Sequence, residues 1–239
     1  MFKKIQNNLL FILIFLCLCV GTLFTAFAKN DYSSVKKTFL KSETSSINDI
    51  YNVALNKVII VGDSRMEFLL DDDDVIKPIN FIFDVKSGAG FEWFQEIGKP
   101  QLKKLLDDKD SKYHYHVVFN LGVNDIQYNN GKIKDTFDKY IREYKKLVLK
   151  YDDVDFYFLS VNPIDEDLLN KSQPNNIRTN AMIERLNEYF EKATDNSNNF
   201  VYCDSYHSLD FEAYDGIHYD SETSQNILYY IARKCVNYK

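Results

Sequence analysis

The alternation of two kinds of segment is the feature of this sequence that most constrains its fold. Five short runs of β-branched and aromatic residues have the length and composition of buried strands. They are Val58–Val61, Phe81–Phe83, Val117–Phe119, Phe156–Leu159 and Phe200–Tyr202. In the segments between and after these runs, apolar residues recur at spacings of three and four, which predicts helices. The helical segments are Phe91–Leu106, Lys134–Lys150, Asn176–Lys192 and Thr223–Val236.

Strands that alternate with helices favour one architecture. Successive strands are then joined by right-handed crossovers, which produce a mostly parallel sheet covered by helices on both faces. The 239 residues are enough for one sizeable core but few for two full domains. We therefore predict a single α/β domain, a three-layer α/β/α sandwich around a five-stranded parallel sheet. Ligands of such sheets bind beyond the carboxyl ends of the strands, so the residues that follow each strand are the first candidates for a functional site.

The N-terminal segment has the pattern of an export signal. Two lysines precede an apolar run over Leu9–Phe24, and Ala26–Ala28 supplies the small residues of a signal peptidase site. We predict a signal peptide over residues 1–28 that is cleaved after Ala28. The alternative is an uncleaved membrane anchor, because the apolar run approaches the roughly 20 residues that span a bilayer.

The rest of the chain divides into a polar leader over residues 29–50 and a folded domain over residues 51–239. Removal of the signal takes away two of the 29 basic residues and none of the 35 acidic ones, so the exported protein would be acidic. An acidic protein has little electrostatic attraction for phosphate backbones. We expect a secreted or cell-surface protein with no nucleic-acid partner, which contacts membranes only through an uncleaved N-terminal segment.

Few side chains could cross-link the chain or bind a metal. Cys203 and Cys235, the two cysteines that follow the signal, could form one disulfide or could equally be two buried thiols. His114 and His116 form an alternating pair that can ligate a metal, but no third ligand is evident in the sequence. We interpret them as ordinary surface or half-buried histidines, and we predict no metal site and no cofactor.

Ser64 is the candidate nucleophile. It follows the first predicted strand, where the chain turns sharply into a helix, so its hydroxyl would project from the carboxyl edge of the sheet above a helix N-terminus. The alternative is that Asp63 or Ser64 only caps this helix, which is a common role for these residue types. Arg65 could bind an anionic substrate or pair with a nearby acid.

Two further segments could donate hydrogen bonds to an oxyanion. Gly88 and Gly90 follow the second strand, and a glycine there leaves its backbone N–H accessible to a ligand. Asn124 follows the third strand, and its side-chain amide could donate to the same oxyanion. The alternatives are a tight turn at the glycines and an Asx turn at Asn124.

Asp215 and His218 follow the fifth strand. At a spacing of three residues the carboxylate can accept a hydrogen bond from the imidazole and fix its tautomer, which leaves the other ring nitrogen free to accept a proton from Ser64. His207 also lies near an acid, Asp204, but we prefer His218 because the last predicted helix follows it directly.

These signals come in order, each after a different strand of one predicted sheet, and together they resemble the four sequence blocks of the SGNH (GDSL-type) hydrolases. Ser64, Gly88, Asn124 and His218 match the four residues that give the family its name, Asp215 matches its usual acid, and Gly90 is an alternative to Gly88. The resemblance covers roughly residues 57–239. It implies a flavodoxin-like sandwich, a catalytic triad of Ser64, Asp215 and His218, and an oxyanion hole formed by Ser64, Gly88 and Asn124.

The resemblance also implies an activity. We expect an exported serine esterase that forms an acyl-enzyme, with a small ester or an acylated glycan, such as an O-acetylated carbohydrate or a cell-wall ester, as substrate. The same residues could transfer the acyl group to a sugar instead of water, as an acyltransferase does. A third possibility is a noncatalytic glycan-binding domain on the same scaffold.

Overall fold

The computed structural model describes residues 55–78, 80–130, 134–194 and 199–236. The predicted signal peptide over 1–28 and the predicted leader over 29–50 lie outside these residues. Within the described ranges, no helix combines the length and the apolar character that a membrane span requires.

A single five-stranded sheet forms the centre of the domain. The strand order is β2-β1-β3-β4-β5, and every neighbouring pair is parallel. The strands are β1 (Asn56–Gly62), β2 (Phe81–Val85), β3 (His114–Asn120), β4 (Val154–Leu159) and β5 (Phe200–Cys203). This order is that of flavodoxin-like sheets. The prediction of five parallel strands is therefore confirmed, and each predicted run lies inside the corresponding strand.

Helices follow each strand. The bounds are α1 (Ser64–Asp71), α2 (Phe91–Trp93), a π-helical turn (Phe94–Gly98), α3 (Lys99–Asp107), α4 (Val123–Tyr128), α5 (Lys134–Lys150), α6 (Glu166–Ser172), α7 (Asn180–Thr194), α8 (Ser221–Tyr230) and a final π-helical turn (Ile231–Cys235). Among these, α4 and α6 were not predicted, because helices of six and seven residues are too short to give a periodic signal.

The sheet separates two apolar cores, as the three-layer prediction requires. Ile59 and Val61 of β1 face the larger core, which the α2–α3 helices, α5 and α7 cover. Val58 and Ile60 alternate with them and face the smaller core under α1 and α8. Aromatic packing is close in the larger core, where Phe190 of α7 stacks on Phe158 of β4 with ring centroids 3.7 Å apart.

One helix begins later than its periodicity indicates. The pattern predicts a helix from Asn176, but α7 begins at Asn180. The Asn176 side-chain oxygen accepts hydrogen bonds from the backbone N–H and the Nε–H of Arg178, which hold the chain in a turn. Thr179 then caps the helix, since its hydroxyl accepts from the N–H of Met182.

The two cysteines in the described part of the chain are buried free thiols. Cys203 ends β5 and Cys235 ends the last π-helical turn. Burial and the neighbouring Cys203 raise the pKa of the Cys235 thiol well above its ordinary value. The sequence leaves open a disulfide or two buried thiols, and the structure shows two buried thiols.

Candidate active site

Ser64 is the first residue of α1, immediately beyond the carboxyl end of β1. The capping function belongs to its neighbour, because the side chain of Asp63 accepts the hydrogen bond from the backbone N–H of Arg65. The Ser64 hydroxyl is thereby left for other contacts. Its Oγ lies 2.9 Å from Nε2 of His218.

His218 and Asp215 complete a chain of hydrogen bonds from the serine. Nδ1 of His218 lies 2.7 Å from Oδ2 of Asp215. The other carboxylate oxygen accepts from the backbone N–H groups of Ile217 and His218, at 3.0 and 2.8 Å. Burial alone would raise the pKa of Asp215, but these hydrogen bonds outweigh it and lower the pKa below its ordinary value. The structure thus brings the predicted serine, histidine and acid together in one linear arrangement.

The segment that carries His218 has to reach back across the sheet, because β5 lies at the edge and two strands, β4 and β3, separate it from β1. A tight turn holds it there. Gly216 has φ +95°, which non-glycine residues rarely adopt, and its carbonyl accepts from the N–H of Asp165. A Cβ on Gly216 would lie only 2.4 Å from the backbone nitrogen of Leu169. Sequence reasoning missed Gly216, although its place between the acid and the histidine could have signalled it.

The predicted oxyanion donors lie on either side of Ser64. Because β1 lies between β2 and β3, the residues that follow those two strands flank the serine. Asn124, in the first turn of α4, donates one amide hydrogen to the carbonyl of Ala89 at 3.0 Å, which joins the two flanking segments and leaves its second amide hydrogen. Among the described residues, the backbone N–H groups of Ser64 and Gly88 have no hydrogen-bond acceptor. All three groups can therefore donate to a ligand.

Asp125 holds together the segments that carry the oxyanion donors Gly88 and Asn124. Its carboxylate accepts from the N–H of Phe91 and the hydroxyl of Tyr140, both at 2.9 Å, and packs against Gly90. Burial raises the pKa of Asp125 to about 6, although the two hydrogen bonds oppose the shift. The alternative donor Gly90 is thus the N-cap residue of α2, backed by a carboxylate, whereas Gly88 turns the chain at φ +72°.

Arg65 is paired with Asp63. Its Nε and Nη2 groups each donate to a different oxygen of the Asp63 carboxylate at 3.1 Å, and Nη1 donates to the carbonyl of Asn162. Both side chains are almost fully buried. Although burial lowers the pKa of Arg65, the Asp63 carboxylate and Tyr219 together raise it above its ordinary value. Of the two roles considered for Arg65, the structure shows pairing with a nearby acid rather than exposure to a substrate. This ion pair is buried, and the bond to Asn162 connects α1 to the loop after β4.

An open cavity of about 500 Å³ adjoins Gly88. Aromatic and polar side chains both contribute to its lining, among them Trp93, Tyr128, Glu92 and Lys139. The exposed ring of Phe68 lies beside the imidazole of His218, with centroids 4.2 Å apart. Aromatic rings therefore lie both in the cavity beside Gly88 and against the catalytic imidazole.

The remaining histidines lie elsewhere. His207 is exposed and pairs with Asp204 at 2.9 Å, at the same three-residue spacing as the pair that contacts Ser64. His114 and His116 lie at the amino end of β3, opposite the serine. The sequence shows no third ligand for this pair, but strand pairing brings Asp155 of β4 beside the two histidines.

Known proteins share a sequence family and the fold with this chain. The sequence matches the family model described as GDSL-like lipase/acylhydrolase over residues 29–231. No curated protein matches the chain by sequence.

Solved structures with the same fold share little sequence identity with this chain. A carbohydrate esterase of family 3 from Talaromyces cellulolyticus is 16% identical with a TM-score of 0.55, over 76% of this chain and 96% of its own. A predicted acylhydrolase of Bacteroides fragilis NCTC 9343 is 19% identical with a TM-score of 0.53, over 80% and 97% of the two chains. An acetyl esterase crystallised with an acetate ion is 16% identical with a TM-score of 0.54, over 76% and 96%.

Proposed function

The chain belongs to the GDSL-like lipase/acylhydrolase family, and within it we propose a serine esterase that hydrolyses carboxylic esters through an acyl-enzyme on Ser64. One observation carries this proposal, the hydrogen-bond chain from Ser64 Oγ through His218 to Asp215, with distances of 2.9 and 2.7 Å. Nucleophile, base and orienting acid at these separations are what acyl transfer through a serine requires.

The first half of the reaction forms the acyl-enzyme. The Nδ1–H group of His218 keeps its proton and donates a hydrogen bond to Asp215, so Nε2 presents its lone pair to the Ser64 hydroxyl. As Oγ attacks the ester carbonyl carbon, Nε2 accepts the hydroxyl proton, and the ionised Asp215 stabilises the imidazolium that results. The imidazolium then passes this proton to the departing alcohol oxygen, and the C–O bond of the ester breaks.

The second half releases the acid. Water attacks the acyl carbon, Nε2 accepts a proton from it, and the same proton returns to Ser64 Oγ when the acyl bond breaks. In both halves the carbonyl oxygen becomes negative, and the N–H groups of Ser64 and Gly88 with the free amide hydrogen of Asn124 can bind it. We assign the glycine donor to Gly88 rather than Gly90, which is the cap of α2.

We propose an acetylated carbohydrate as the substrate class. The cavity beside Gly88 combines two rings, Trp93 and Tyr128, with charged side chains, which suits a sugar better than a long acyl chain. One protein with the same fold is named a carbohydrate esterase and another an acetyl esterase. We also propose that residues 1–28 direct export, so that the enzyme acts on secreted or cell-surface glycans.

Substitution of the serine and of the histidine tests the proposal. We expect Ser64→Ala and His218→Ala to lower the rate of nitrophenyl acetate hydrolysis by at least about 10⁴-fold. His207→Ala is the matched control, because His207 also pairs with an acid three residues earlier, and it should keep the parental rate. Parental rates in folded Ser64→Ala protein would refute the serine mechanism.

The choice of acceptor and acyl chain is tested separately. With an acetylated glycan, we expect the parent to release acetate into water and to act poorly on long-chain nitrophenyl esters. Faster transfer to a glycan acceptor than to water would make the protein an acyltransferase. Failure of a fluorophosphonate to label Ser64, together with glycan binding, would make it a noncatalytic binding domain.

A further inference from the structure

Two of the four histidines in the sequence meet an aspartate at the edge of the sheet opposite the candidate active site. His114 and His116 alternate along β3, so their side chains lie on the same face of the sheet. Asp155 is the partner of His116 in the register between β3 and β4. One ligand atom from each side chain lies within 4.8 Å of the other two.

The separations are close to those of ligands around one small cation. Nε2 of His114 lies 2.7 Å from Oδ2 of Asp155, and Nδ1 of His116 lies 3.6 Å from the same oxygen. Bonds of about 2.0–2.1 Å in a tetrahedral zinc site place neighbouring ligand atoms roughly 3.3 Å apart. The ligand atoms lie within 4.8 Å of one another, so a shared ion requires movements of up to about 1.5 Å, which the half-exposed side chains of His114 and Asp155 can make while burial holds His116 in place.

The orientation of His116 is that of a ligand with a supporting partner. Its Nε2 lies 3.0 Å from the side-chain oxygen of Asn56, which can only accept, so Nε2 carries the proton and donates it. Nδ1 then carries the lone pair, which accepts a hydrogen bond from the hydroxyl of Tyr157 at 3.3 Å, and binding of an ion would replace this bond. A second hydrogen bond that fixes the tautomer and ring position is typical of histidines that bind metals.

We propose that His114, His116 and Asp155 bind one Zn²⁺ ion, with water in the fourth position. Two imidazoles and one carboxylate are a common ligand set for this ion. The site joins the amino ends of two neighbouring strands, whereas Ser64 lies beyond the carboxyl end of β1, about 20 Å away along strands of this length. The ion therefore stabilises the sheet and takes no part in ester hydrolysis.

Zinc binding by the full chain without a histidine tag tests this site. After dialysis against a chelator, calorimetric titration with Zn²⁺ should give one site per chain, and Co²⁺ should give the visible absorption of a tetrahedral complex. Zinc at 100 times its Kd should raise the Tm by about 5–10 °C. His114→Ala and Asp155→Asn, both at partly exposed positions, should weaken binding by at least about 100-fold.

Two controls separate this site from other sources of binding. His207→Ala removes a histidine that also pairs with an aspartate but has no third ligand, and it should bind zinc as the parent does. Ser64→Ala should bind zinc unchanged, and removal of zinc should leave the parental hydrolysis rate at 25 °C, so a failure of the proposed esterase activity leaves this test intact. Absence of binding below about 1 mM, or equal binding by folded Asp155→Asn protein, would show that the cluster is an ion pair only.

Discussion

Gly216 offers a demanding test of how the fold positions His218. An alanine there must adopt φ near +95°, which costs about 1–3 kcal/mol for a residue with a side chain. Its Cβ would also lie 2.4 Å from the nitrogen and 2.6 Å from the Cα of Leu169. These are backbone atoms of a fully buried residue in α6, so they cannot move aside easily. The turn that carries Asp215 and His218 must therefore shift by about 1 Å to restore ordinary contact.

A shift of this size should have a large effect on the catalytic rate and only a moderate effect on the stability of the domain. A displacement of about 1 Å costs roughly 100-fold in rate, because the base no longer lies in line with the nucleophile. The stability loss of about 1–3 kcal/mol corresponds to a fall in Tm of roughly 3–10 °C in a domain of this size. We therefore expect Gly216→Ala to be folded at 25 °C with kcat for nitrophenyl acetate lowered about 100-fold.

Initial rates and thermal melts, measured side by side, check this prediction. Glu212→Ala is the control, because the Glu212 side chain is exposed in the same loop and only its backbone makes hydrogen bonds there. It should keep both the parental rate and the parental Tm. If folded Gly216→Ala protein hydrolysed the ester within twofold of the parental rate, the turn would not determine the position of His218.

Two further predictions concern the oxyanion donors and a buried acid. Asn124→Ala should lower kcat by about 100- to 1,000-fold with little change in KM, because the lost amide donates to the oxyanion. Steady-state assays measure both constants, and an unchanged kcat would remove Asn124 from the mechanism. Burial raises the pKa of Asp84 to about 7, and within the described structure one of its oxygens has no hydrogen-bond partner. The native state therefore keeps a proton that the unfolded chain releases near pH 4, so the free energy of unfolding should fall as the pH rises from about 4 to 7. Urea denaturation at pH 8 should show Asp84→Asn to be more stable than the parent by about 2 kcal/mol. Equal stability of the two proteins at pH 8 would contradict the raised pKa.

The sequence predicts the sheet well because buried parallel strands are nearly continuous apolar runs. Val58–Val61 and Phe156–Leu159 stand out for this reason, and Ser64 follows from the pattern because it lies just beyond the carboxyl end of a strand.

What the sequence leaves open depends on contacts between distant segments. The turn at Asn176 delays α7 through side-chain hydrogen bonds that the helical periodicity does not reveal. Arg65 could have faced a substrate, and its pairing with Asp63 follows from burial of both side chains. Asp155 meets the histidine pair only through the register of β3 with β4, which no local pattern specifies.

The proposed mechanism requires that His218 activates the Ser64 hydroxyl. Mass spectrometry of peptides after treatment with a fluorophosphonate measures this directly, because the reagent adds covalently to an activated serine. We expect a single adduct on the peptide that contains Ser64, formed at least about 100-fold more slowly in His218→Ala. An adduct on another residue, or equal labelling rates in the parent and in His218→Ala, would contradict it.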